Sequence, residues 1–73
     1  MPYKGESYEG EKLRQEMEKS VRLQSEVSEE TQAKATKLQW VYSSFNDPGD
    51  DWCRADFYSK EGTLLQSVVV PGY

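Results

Sequence analysis

Trp52-Cys53-Arg54-Ala55-Asp56-Phe57-Tyr58-Ser59-Lys60-Glu61-Gly62-Thr63-Leu64-Leu65-Gln66-Ser67-Val68-Val69-Val70 reads as an antiparallel β-hairpin, with strands over about 52–58 and 63–70. Ser59-Lys60-Glu61-Gly62 has the form of a type I turn followed by a left-handed residue, the three-residue loop in which glycine takes the bulge position. Such a loop predicts a register with Ser59 opposite Thr63, Phe57 opposite Leu65, Ala55 opposite Ser67 and Cys53 opposite Val69. Strand alternation then groups Cys53, Ala55, Phe57, Leu65 and Val69 on a core face. Trp52, Arg54, Asp56, Tyr58, Leu64, Gln66, Val68 and Val70 fall on the other, which is apolar at both ends and polar in the middle. A lone two-stranded hairpin is marginal in water, so at least one face must be covered by a helix, a third strand or another subunit.

Upstream of the hairpin the chain is helix-rich. Residues 1–11 carry a small echo, Tyr3-Lys4-Gly5-Glu6 and Tyr8-Glu9-Gly10-Glu11. Two glycines in so short a span predict a flexible leader over 1–10, with 11–73 as a single domain. Strong helix formers and the Leu13–Met17–Val21 stripe predict a first helix over about 9–24, supported by a Glu18–Arg22 pair. The alternation of Val21, Leu23 and Val27 makes a short strand the weaker alternative there. Ser28 followed by Glu29 and Glu30 is a good helix start, because the hydroxyl caps and the acids complement the helix dipole. Thr31, Ala35, Leu38, Val41, Tyr42 and Phe45 then repeat at spacings of three and four, up to the stop signals Asn46 and Pro48. A second helix over about 29–45 is the first reading. A third strand over Trp40–Phe45 is the next, and one long helix from Leu13 to Phe45 the last. The fold class expected is thus a small α+β domain of two helices followed by a β-hairpin.

Composition narrows the function. A core of this size rarely supplies more than about 3–5 kcal/mol, so small domains commonly add staples or oligomerise. The chain holds 73 residues, one cysteine and no histidine. An internal disulfide is therefore impossible, a protein-built zinc site is disfavoured, and Cys53 is expected as a buried, inert thiol. Oligomerisation remains as the added source of stability, with a homodimer the default. No apolar run approaches the roughly 18 residues of a membrane span, and no signal-peptide core is present. The expected setting is cytoplasmic, without membrane contact. The net charge of −4 is mild: residues 1–30 hold eight acids and five bases, and residues 31–73 five acids and four bases. Without a basic footprint, duplex nucleic acid is not an expected partner.

Catalytic signatures are missing as well. Without histidine the common nucleophile–base pairs cannot be assembled. Asp47, Asp50 and Asp51 lack the alternating spacing and closing glutamate of a calcium loop. No phosphate-binding glycine loop or dinucleotide fingerprint occurs. The expectation is a non-enzymatic protein without metal or cofactor. Trp52, Arg54 and Tyr58 project together from the second hairpin face and are residue types that dominate binding hot spots. Trp40 stands off the Leu38–Tyr42 helical stripe as a further anchor, and Tyr73 at the chain end and Lys60 in the turn complete the candidate set. The alternative for the face is structural, with a helix covering it and Arg54 paired with Asp56 or with an acid of the helices. Three classes of function follow. The first is a homo-oligomeric inhibitor or adaptor acting by stoichiometric protein contact, a style common among phage counter-defence proteins. The second is an oligomer sequestering a nucleotide-like ligand by aromatic stacking and Arg54 or Lys60. The third is a structural subunit of a larger assembly.

Overall fold

A computed structural model describes residues 3–42 and 52–71. The elements run β1 (Tyr3–Glu9), α1 (Glu11–Glu18), α2 (Val21–Glu26), α3 (Glu29–Lys34), β2 (Ala35–Tyr42), β3 (Trp52–Ser59) and β4 (Leu64–Pro71). The four strands form one antiparallel sheet in the order β1-β2-β3-β4. Three short helices are inserted between β1 and β2 and pack on one side of it: α1 against β1 and β2, α2 against β4, and α3 against β3. The expected α+β class and the hairpin are both present.

Most of the expected leader is the edge strand β1. Its two glycines are there for geometry. Gly5 lies under the Tyr42 ring, where any Cβ would collide with the aromatic carbons. Gly10 takes φ 59° and turns the strand into α1, a conformation that costs glycine little. A bulge between Lys4 and Ser7 breaks the β1–β2 register. The Gln39 amide spans it, donating to the carbonyls of Gly5 at 3.0 Å and Trp40 at 2.9 Å, and more weakly to that of Glu6 at 3.4 Å.

The first predicted helix is two helices. Ser20 is extended, and its hydroxyl accepts from the Leu23 N–H at 3.2 Å, so a new helix is capped in the middle of the expected one. The restart carries the apolar stripe from Leu13 and Met17 to Leu23 and Val27, and leaves Val21 80% exposed. It also separates Glu18 from Arg22, which pairs with Glu26 at 2.7 Å instead. Ser28 caps α3 as expected, accepting from the Thr31 N–H at 3.1 Å.

The helix predicted over 29–45 ends at Lys34, and Ala35–Tyr42 is a strand that begins five residues before the Trp40–Phe45 strand ranked second and shares with it only residues 40–42. Leu38, Trp40 and Tyr42 also recur with period two, and as a strand the segment pairs the edge of β3 from Cys53 to Ser59. A helix there would leave that ladder unmade, so sheet pairing overrides the weak local preference. Phe45 and the acidic stretch 46–51 lie outside the described residues.

The hairpin turn forms as expected. Ser59 N–H donates to the Thr63 carbonyl and Gly62 N–H to the Ser59 carbonyl, both at 2.9 Å, and Gly62 has φ 85°. The register beyond it differs from the prediction. Tyr58 faces Leu64 but Phe57 faces Gln66, so one extra residue is bulged into β4 and every later β4 side chain changes face. Ala55 consequently faces Val68 and Cys53 faces Val70. The slip turns Gln66 toward the helices, where its amide donates to the Glu26 carbonyl at 2.8 Å and its oxygen accepts the Ser28 N–H at 3.0 Å. Both backbone groups belong to the α2–α3 junction, so the bulge gives two helix-end groups a partner.

The core lies between sheet and helices and consists of Leu13, Met17, Leu23, Val27, Leu38, Ala55, Phe57 and Val68, with Trp40 and Val70 against its rim. Cys53 is 2% exposed at the end of this layer. It should resist thiol reagents in the native state and react once unfolded, and Cys53→Ala should cost about 1–2 kcal/mol. Burial pushes its pKa up from the ordinary 9.0. The unfolded chain therefore releases the thiol proton first, so this contribution is intact below pH 9.0 and declines above it. Denaturation midpoints between pH 7 and 10 check the sign, which Cys53→Ala should remove.

Candidate functional site

The side of the sheet away from the helices is organised in rows that cross three strands. Val41, Arg54 and Val69 make one row, Gln39, Asp56 and Ser67 the next, and Lys37, Tyr58 and Leu64 the third. Trp52 extends the β3 series by alternation. Three predicted residues, Trp52, Arg54 and Tyr58, are therefore brought to one face, each partly exposed. Two large apolar side chains join them from β4, Leu64 at 53% and Val69 at 50% exposure. Leu64 was predicted on this face; Val69 was expected in the core and arrives here through the β4 bulge.

Arg54 and Asp56 dominate the centre. They are two residues apart on one strand, so both project the same way. Arg54 Nε donates to Asp56 Oδ1 at 2.7 Å and Nη2 to Oδ2 at 2.9 Å, a two-pronged charge-assisted pair. Ser67 Oγ donates to Oδ1 at 2.7 Å from the neighbouring strand. The carboxylate is almost fully covered, at 4% side-chain exposure, whereas the guanidinium side chain stays 38% exposed. Hydrogen bonding to Asp56 raises the Arg54 pKa further, so the guanidinium is a permanent cation. The pairing named in the structural alternative is thus real, on a face that α1, α2 and α3 do not cover. Asp56 is already engaged and poorly placed for acid–base work, while Arg54 keeps more than a third of its side chain exposed.

The other candidates lie elsewhere. Trp40, opposite Ala55, is on the helix side against the core, because the segment is a strand and not a helix. Lys60 is exposed in the β3–β4 turn and lines a groove of about 360 Å³ with Lys4, Glu9, Lys37, Gln39 and Tyr58. Three lysines against one glutamate make this groove locally basic on an acidic chain. Lys4 and Lys37 were not legible as partners of Lys60, since their approach depends on β1 and β2. Tyr73 lies outside the described residues.

A larger groove of about 840 Å³ runs between α1 and α3, lined in part by Leu13, Arg14, Met17 and Gln24. The Gln24 amide there donates to the Met17 and Glu18 carbonyls at 3.1 and 2.9 Å. Its polar lining thus closes the end of α1, which marks a packing seam more than a binding site. Among the described residues no three His, Cys, Asp or Glu side chains gather as a metal site, and no helix is long and apolar enough to cross a membrane. Compared with protein-family models, curated proteins and solved structures, the chain shows no match to any of the three.

Proposed function

We propose that this is a non-enzymatic binding module, a homo-oligomeric inhibitor or adaptor that acts by stoichiometric protein contact through the open face of its sheet. One observation carries the reading. Exposed Leu64 and Val69 flank a fixed, permanently charged Arg54 and half-exposed Trp52 and Tyr58 on the face of the sheet opposite α1, α2 and α3. Aromatic and arginine anchors set among aliphatic groups are the composition of binding hot spots. Holding Arg54 by Asp56 before contact also lowers the entropy lost when a partner docks.

The test is co-purification of a partner by tagged protein, with Tyr58→Ala and Leu64→Asp as probes. Wild type should retain a partner at defined stoichiometry, and each variant should weaken binding about tenfold or more, the scale of a hot-spot side chain. Both residues are partly exposed, so unfolding midpoints should change little. Equal retention by both variants would retire this face as the contact surface.

The Lys4–Lys37–Lys60 groove beside Tyr58 favours a second reading, sequestration of an anionic, nucleotide-like ligand by stacking and charge. Thermal-shift titration with AMP and ATP should then give stabilisation that Lys37→Glu and Lys60→Glu remove. An unchanged shift in those variants excludes the groove.

A further inference from the structure

We infer that β4 pairs edge to edge with β4 of a second copy, about a two-fold axis at Val68 perpendicular to the sheet. The inference rests on the homo-oligomeric part of the reading above and assigns it a surface. The sheet has two edges, β1 and β4, and they differ in kind. β1 carries Lys4, Glu6 and Glu9 and is bulged, features that discourage strand addition. β4, Leu-Leu-Gln-Ser-Val-Val-Val-Pro, bears no charge over its eight residues. Leu64 and Val69, two of the three exposed large hydrophobic residues among the described ones, both belong to it.

Ladder geometry says which backbone groups are offered. The turn closes on a bonded pair, Ser59 with Thr63. Bonded and unbonded pairs then alternate along an antiparallel ladder. Tyr58–Leu64 is unbonded, Phe57 bonds the bulge, Asp56–Ser67 is unbonded, Ala55–Val68 is bonded and Arg54–Val69 is unbonded. The N–H and C=O groups of Ser67 and Val69 therefore point away from β3, toward the open edge. Among the described residues no further strand lies beyond β4. Pro71, two residues on, continues the outward series, where the missing N–H costs no bond to β3.

A second copy is the occupant that this edge fits. Placing the axis at Val68 sets Ser67 opposite the mate's Val69 and Val69 opposite the mate's Ser67, so both outward pairs are matched at once, in about four backbone hydrogen bonds. Parity is kept, so both helix layers share one side of a continuous eight-stranded sheet and both open faces share the other. Each chain carries a net charge of −4, and an uncharged edge is where two such chains approach with least repulsion. The exposed Val69 gains a cross-strand neighbour on the open face.

Light scattering and amide hydrogen exchange test this on the full chain. Wild type should have twice the 8.4 kDa chain mass. Val69→Pro removes an outward N–H and no bond to β3, so it should fall to the monomer mass with its circular dichroism retained. As a measurement needing no variant, exchange at the Ser67 and Val69 amides should slow between 1 and 100 μM protein as the monomer fraction falls, by up to about tenfold. A folded Val69→Pro dimer, or concentration-independent exchange in a wild-type dimer, would overturn the β4 pairing and leave the homo-oligomer standing. A monomeric wild type at 100 μM would overturn both.

Discussion

Phe57→Ala is expected to leave the chain unfolded at 25 °C, with its cooperative thermal transition lost. Phe57 has no exposed surface and stands in a central strand, opposite Leu38 on one side and Gln66 on the other. It belongs to the same buried cluster as Leu13, Met17, Leu23 and Val27 from the helices, so its truncation opens a cavity between the two layers. Truncating a phenylalanine at such a site costs about 3–5 kcal/mol. A core of this size supplies about the same in total, which leaves no reserve. Phe57→Leu keeps most of the volume and should remain folded, at a cost of about 1.5 kcal/mol or less. Equilibrium denaturation at fixed protein concentration checks both, the concentration being held because association adds to apparent stability. A folded Phe57→Ala with a near-wild-type midpoint would show that the core is centred elsewhere.

What could be read beforehand follows the range of the interactions. The hairpin turn was legible because Gly62 and Ser59 act within five residues of each other, and the Ser28 cap was legible for the same reason. β3 was legible on both faces, since alternation needs only a strand. Its partner was not. Nothing local at Leu65 announces an extra residue; the bulge is favoured by Gln66 reaching Glu26 and Ser28, some 40 positions away. The segment 35–42 satisfies both a three–four and a two-residue period, and only the vacant edge of β3 decides between them. β1 was hidden by its glycines, whose purpose appears once Tyr42 is seen lying over Gly5.

The candidate face shared this division. Trp52, Arg54 and Tyr58 came from a single strand and were found together by counting. Trp40 lies on the opposite side, against the core, because its segment is a strand and not the helix that its three–four spacing favours. Val69, Lys4 and Lys37 reach their positions only through the sheet register, so no reading of one segment at a time could have placed them on this side of the molecule.

Arg54→Ala should destabilise the protein more than Asp56→Ala does, although the two residues form one ion pair. The asymmetry comes from their exposure. Asp56 is 4% exposed, and without Arg54 its carboxylate keeps, among the described residues, the Ser67 hydroxyl as its side-chain donor. A covered charge left with one neutral donor is costly, at about 3–5 kcal/mol when the broken pair is fully buried. Arg54 is 38% exposed, so water reaches the gap and screens part of that penalty. The expected loss for Arg54→Ala is therefore about 2–3 kcal/mol. In Asp56→Ala the orphaned guanidinium turns to solvent and keeps its hydration, and Ser67 is already exposed. That change should cost about 1–2 kcal/mol. The double variant removes the stranded carboxylate along with its partner, so it should cost less than the two losses added, by about 1–2 kcal/mol. Denaturant midpoints of the four proteins close the cycle. Additive losses would mean that the pair does not couple. Single losses near zero would make Arg54 a residue of the binding face alone, and a larger loss in Asp56→Ala would place the covered charge on Arg54 instead.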